Sequence, residues 1–318
     1  MTRTIPPRSR RPMAALIILA GLFLLGCHPY LLRSTSPTAG SPTETVTSTS
    51  ALTPEPNTEV SSNLSPCQVY FIDVGEGDSE LLVTPHGKTI MIDGGDSDSG
   101  SLAFLTAHQV DHIDLMIATH SHADHIGGLI DVLANMPVKV VATNGRTTDT
   151  YTYERFLDQV KNSGVDYEEL SAGDQFTVDG VSFTVLEPKK EDALPDLDNT
   201  SLVIMARCYQ TNILLTGDME ADEEKELLAS YARSDLQAQI LKVAHHGSNT
   251  SSTFDFILAV KPAVAIYSAG EGNPYHHPHP SVINRLLSYV PAVYGTNKNG
   301  TISVSISPDG YAVELEKK

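Results

Sequence analysis

The chain has 318 residues, enough for one large domain or two smaller ones, with 41% hydrophobic and 19% charged residues. That balance is ordinary for a globular protein. The formal net charge of −18 repels polyanions at long range and excludes a role in coating nucleic acid. It does not exclude phosphoester chemistry, because bound metal ions can hold a single phosphate against an acidic background.

At the start, Arg3, Arg8, Arg10 and Arg11 precede an apolar run over 13–25. The run is short for a membrane span and has the size of a signal-peptide core. It ends in Leu24-Leu25-Gly26-Cys27, which resembles the lipobox of bacterial lipoproteins, where the Cys carries lipid and becomes the new N-terminus. Residues 1–27 are therefore expected to be a lipoprotein signal peptide, with an uncleaved anchor as the alternative. Either places the remainder outside the cytoplasm, held at the membrane through a lipid on Cys27 or secreted. Residues 28–66 are rich in Ser, Thr and Pro with almost no apolar periodicity. Such a stretch cannot bury enough surface to offset its ordering entropy, and a disordered tether is expected. Cys67 and Cys208 are expected as two buried thiols, although an oxidising compartment leaves them free to pair.

The folded body is expected over 67–318. Short β-type runs come first, at 69–74, 80–84 and 89–92, separated by Gly-bearing turns. A helix over 102–110 leads to a buried strand at 114–119, and a second helix runs from about His125 to Asn135. Further strands fit 138–142, 175–178, 181–186, 201–207 and 212–216, with helices over 153–162 and 221–231. The last third alternates strands (240–243, 263–268, 292–294, 301–306) with helices (253–260, 281–288). Many strands interleaved with surface helices predict an α/β sheet core covered by helices.

Eight of the twelve His fall in three clusters, and none lies between His125 and His245. Each cluster follows an apolar strand candidate, where a rigid sheet presents ligands on loops. The first reads Thr119-His120-Ser121-His122-Ala123-Asp124-His125. In an extended stretch residues two apart point the same way, so His120 and His122 can grip one ion. Where the chain turns into a helix, Asp124 and His125 can face a second. Imidazole and carboxylate donors suit Zn²⁺ or Mn²⁺. The apolar strand before Thr216-Gly217-Asp218 delivers one carboxylate at its tip, suited to bridge two ions. In Ala244-His245-His246-Gly247-Ser248 one imidazole can complete the second ion's shell while the other faces substrate; the assignment adopted gives His245 to metal and His246 to catalysis. In His276-His277-Pro278-His279-Pro280 the prolines fix the backbone, so that His277 or His279 can be held over the site.

At these residues the sequence resembles the metallo-β-lactamase superfamily, whose signature His120-x-His122-x-Asp124-His125 matches without substitution. More narrowly it resembles the hydrolase domain of the ComEC competence-protein family. The opening Phe71-Ile72-Asp73-Val74-Gly75-Glu76-Gly77-Asp78-Ser79 and the three later motifs follow in that family's order, over about 69 to the C-terminus. The resemblance implies an αββα sandwich with a metal site at the edge between two sheets. It also implies a departure. The superfamily usually supplies another His between the first cluster and the bridging Asp, and here the corresponding segment is Asn199-Thr200-Ser201-Leu202-Val203. The first ion is then left with His120, His122 and Asp218 plus water, or gains Asn199.

The expected chemistry is hydrolysis by water ionised near neutral pH on two divalent ions, Zn or Mn. The metal set is His120, His122, Asp124, His125, Asp218 and His245. Asp124 orients the nucleophile, and His246 and His279 bind the phosphoryl oxygens or protonate the leaving group. Asp73 and Asp93 are expected to support loops by hydrogen bonds. The first substrate class is a phosphodiester, DNA among the candidates. The alternatives are a lactone, thioester or β-lactam, and a catalytically silent surface binding module. No segment points to a protein partner.

Overall fold

The structure is a computed structural model that describes residues 65–190 and 196–317. The expected signal peptide, Cys27 and the tether up to residue 64 lie outside the described residues.

Two sheets pack face to face. The first holds β1 (Cys67–Phe71), β2 (Glu80–Val83), β3 (Thr89–Ile92), β4 (Ile113–Ala118), β5 (Val138–Thr143) and β6 (Asp166–Glu169). The second holds β7 (Gln175–Val178), β8 (Val181–Glu187), β9 (Val203–Cys208), β10 (Thr211–Leu215), β11 (Ile240–Lys242), β12 (Val264–Tyr267) and β13 (Ala292–Gly295). The chain then returns to the first sheet as β14 (Ile302–Ser307) and β15 (Gly310–Leu315). The orders are β15-β14-β1-β2-β3-β4-β5-β6 and β13-β12-β11-β10-β9-β8-β7.

Alternation builds the layer between the sheets. Along β8, Val181, Phe183 and Val185 are buried while Ser182 is exposed, and Ile302, Val304 and Ile306 repeat the pattern on β14. These side chains meet Val69, Phe71, Ile90, Ile213 and Ile266 in one apolar core drawn from both sheets. The helices cover the outer faces. On the first sheet Leu105, Leu129, Leu133 and Phe156 pack from α1 (Ser101–Ala107), α2 (Ala123–Asn135) and α3 (Tyr151–Ser163). On the second, Leu227, Phe256, Val260 and Leu286 pack from α4 (Ala221–Ser230), α5 (Phe254–Val260) and α6 (Pro280–Tyr289). A single turn, α7 (Thr296–Asn299), precedes β14. The layers run helix, sheet, sheet, helix, as the sequence leads one to expect.

In each sheet one run is parallel, β3 to β6 in the first and β10 to β13 in the second. Ligands in such sheets gather beyond the carboxyl ends of the strands. Asp93 follows β3, His120 follows β4, Asp218 follows β10, and His245 and His246 follow β11. Cys67 and Cys208 are both free and buried. No helix among the described residues is long and apolar enough to cross a membrane.

Candidate metal centre

β4 ends at Ala118, the chain bends at Thr119 and His120, and α2 follows with an extended His122 at the N-cap and Asp124 in the first turn. Helix start and loop approach closely because two glycines allow it. A Cβ on Gly128 would collide with the Gly94 carbonyl, and one on Gly77 with the Asp124 carbonyl. The Asp78 amide donates to that same Asp124 carbonyl at 3.2 Å, which seats the β1–β2 turn on the ligand helix.

Asp218 Oδ2 is the centre of the site. It lies 3.2 Å from His125 Nε2, 3.3 Å from His246 Nε2, and 3.9 Å from both His120 Nε2 and His245 Nε2. Asp124 Oδ2 is 3.3 Å from His246 Nε2. On the other side, Asp198 Oδ1 is 2.8 Å from His122 Nδ1 and 3.5 Å from His120 Nε2. Two ligand groups result: Asp124, His125, Asp218 and His246, and beside them His120, His122 and Asp198.

The opposite ring nitrogens are already engaged, which fixes which nitrogen faces the centre. His125 Nδ1 is 2.8 Å from Asp93 Oδ2, and Asp93 also accepts from the Thr119 amide (2.8 Å) and hydroxyl (2.6 Å). His246 Nδ1 lies 3.1 Å from the Ser268 carbonyl and 3.2 Å from Asp78 Oδ1. His120 Nδ1 is within 3.2 Å of Thr119 Oγ1 and 3.4 Å of Ser201 Oγ. Ser201 Oγ in turn accepts from the Asp218 amide at 3.0 Å. The segment that lacks the superfamily's extra His thus positions two ligands.

The inward atoms carry the sign of a cation site. His125 Nε2, His246 Nε2 and Asp218 Oδ1 are buried without a hydrogen-bond partner among the described residues. Buried polar atoms left so are rare, and two imidazole nitrogens gathered on one carboxylate fit a bound cation. The donors, imidazole nitrogens and carboxylate oxygens, fit Zn²⁺ or Mn²⁺.

Charge within the cluster is tightly linked. Burial disfavours the charged form of His125 and His246, but the Asp218 carboxylate, with Asp93 for the first and Asp78 for the second, lifts both well above the ordinary imidazole range. Burial likewise works against charge on Asp218, and the His125 and His246 cations overcome it and hold Asp218 well below the carboxylate range. His120, buried and beside the His125 cation, is pushed down to about 3.

His245 and His246 separate because both take left-handed backbone conformations, φ 49° and 54°. For non-glycine residues this is strained, a cost usually met at functional sites. Their rings stand 76° apart. It is His246 that joins the buried group, whereas the sequence assignment gave that place to His245. His245 turns to the rim, with Nδ1 3.2 Å from Glu220 Oε1, in a more open group with Asp198 and Asp218. Asn199, considered as an added ligand, bonds instead to Asp196 and Glu220, and the ligand-group carboxylate beside it is Asp198. His279 caps α6 and accepts from the Asn249 amide. The cavity wall is formed by His277, whose Nδ1 is 2.8 Å from Glu76 Oε1. Asp93 holds the Thr119 backbone and hydroxyl, and Asp73 accepts from the Gly75 amide and pairs with Lys317 at 3.2 Å.

The sequence profile of the metallo-beta-lactamase superfamily matches residues 73–271. The chain belongs to that superfamily. Among curated proteins it is 34% identical over 255 residues to ComE operon protein 3 of Bacillus subtilis, covering 74% of this chain and 32% of the relative. It is 33% identical over 255 residues to Recombination protein 2 of Haemophilus influenzae, covering 78% of this chain and 30% of the relative. These relatives are ComEC-family competence proteins, and the chain spans about a third of their length. Among solved structures, the metallo-beta-lactamase fold protein YhfI of Bacillus subtilis superposes with a TM-score of 0.50 at 12% identity, covering 72% of this chain and 95% of that one. Members of the superfamily are generally hydrolases whose fold binds divalent metals, often two. The two ligand groups are candidate sites for such ions.

Proposed function

We propose that the protein is a metal-dependent phosphodiesterase acting outside the cytoplasm, attached to the membrane through a lipid on Cys27. The observation that carries this reading is the position of Asp218 Oδ2, within 3.2 to 3.9 Å of four imidazole nitrogens. In it, Asp124, His125, Asp218 and His246 would hold one divalent ion, and His120, His122 and Asp198 would hold another. Divalent ions there supply Lewis acidity and water ionised near neutral pH.

The remaining groups act on substrate. His277, gripped by Glu76, faces the cavity beside Asp124 and is assigned to a non-bridging or leaving oxygen. His245, at the rim with Glu220, is placed to meet the other side of the ester. Asp124, partly exposed at the helix start, would orient an attacking water as well as hold an ion. The competence-protein relatives support a phosphodiester over an acyl substrate, and the leader pattern at 1–27 supports export. Purified protein loaded separately with Mn²⁺ and Zn²⁺ tests this against bis-p-nitrophenyl phosphate, single-stranded DNA and nitrocefin. Turnover of a phosphodiester is expected, lost in Asp218→Ala. Turnover of nitrocefin alone overturns it.

A further inference from the structure

The cavity over the metal centre has a volume of about 330 Å³ and is lined by Glu76, Asp124, His246, Tyr275 and His277 among others. That is the low end of the range for small-molecule sites, about 300–1,000 Å³, enough for one nucleotide and too small for a duplex. Its mouth carries an aromatic ring that the chemistry above does not use. Tyr275 is 61% exposed and stacks on His277, with ring centroids 5.7 Å apart and planes 21° apart. Among the described residues the other exposed aromatics do not line this cavity, and two of them, Phe254 and Tyr289, pack against each other.

The loop bearing Tyr275 is built to keep it in place. Asn273 is 8% exposed, and its side-chain oxygen accepts from the amides of Tyr275 (3.1 Å) and His277 (3.0 Å). Its side-chain nitrogen donates to the carbonyls of Gly270 (2.8 Å) and His277 (2.5 Å). Glu76 ties the two ends of the same loop, accepting from the Gly270 amide at 2.8 Å while holding His277. A ring fixed in this way loses little freedom when a planar group settles on it.

We infer that Tyr275 is a stacking platform for the base of a nucleotidyl phosphodiester. The inference rests on the phosphodiesterase reading and sharpens it. A chain of net charge −18 cannot gather a polyanion by long-range attraction, so uncharged contacts must supply the affinity beyond the scissile phosphate. Stacking on an aromatic side chain does this and tolerates every base.

The test is calorimetric titration of the full chain, loaded with Mn²⁺, with thymidine 5′-monophosphate and with 2-deoxyribose 5-phosphate. The wild type is expected to bind the nucleotide about 5- to 100-fold more tightly than the base-free ester. Tyr275→Phe keeps that preference. Tyr275→Ala removes it while leaving affinity for the base-free ester unchanged, which also shows the centre to be intact. Equal binding of both ligands by the wild type, or a preference that survives Tyr275→Ala, overturns the stacking assignment alone. Failure of the wild type to bind either ligand overturns the phosphodiesterase reading together with it.

Discussion

Asp78 Oδ1 stands 3.2 Å from Nδ1 of His246, and both side chains are only 2% accessible. Its other oxygen accepts from Lys242 at 2.5 Å, and that ammonium is buried as well. Burial raises the Asp78 carboxyl, but the Lys242 and His246 charges prevail and hold it below its usual range. A buried Lys on a short central strand is therefore the counter-ion of the carboxylate that aims a ligand.

Removal of one partner of such a pair leaves a bare buried charge. Lys242→Met is expected to lower unfolding free energy by about 3–5 kcal/mol, measured by denaturant titration of the metal-free protein. An unchanged midpoint would show that Asp78 finds another partner.

Asp93 stands behind His125 as Asp78 stands behind His246. Asp93→Asn keeps the size and should leave the fold in place while weakening metal affinity by about 10- to 100-fold, the usual cost of losing an outer partner. Competition with a chromogenic chelator reads this directly. Affinity equal to wild type would reduce Asp93 to a loop support.

The raised imidazoles give the metal-free protein a characteristic pH response. His125 and His246 bind protons more tightly folded than unfolded, so the stability they contribute is fully present below about pH 6.5, the unfolded value, and is lost as pH rises through their folded values. Metal binding must displace those protons and so strengthens over the same window. The Tm of metal-free protein should fall above about pH 6.5, while the increment added by Mn²⁺ or Zn²⁺ grows. Parallel curves with and without metal would contradict this linkage.

What the sequence made legible follows from what was locally encoded. The His120-to-His125 run announces itself because extended and helical geometry set the direction of each side chain from spacing alone. β14 and β8 are legible from alternation. β6, Asp-Tyr-Glu-Glu, is exposed at all four positions and lies at a sheet edge, so no apolar pattern marks it. Asp198 opens a single 3₁₀ turn, Asp198–Thr200, beside Asp196, and no apolar pattern in the sequence singles it out from its acidic neighbour. The choice between His245 and His246 depends on two left-handed residues in succession, which adjacent identical side chains cannot reveal. Glu76 and His277 are 201 residues apart, and only the folded sandwich brings them together.

Asp218 is where both ligand groups meet, and its occupancy by cations is the central claim. Elemental analysis with isothermal titration of purified, chelator-stripped protein should find about two equivalents of Mn²⁺ or Zn²⁺, and Asp218→Ala should lose tight binding of both. Wild-type protein that takes up no divalent ion in excess metal, or an Asp218→Ala variant that binds as the wild type does, would contradict the account.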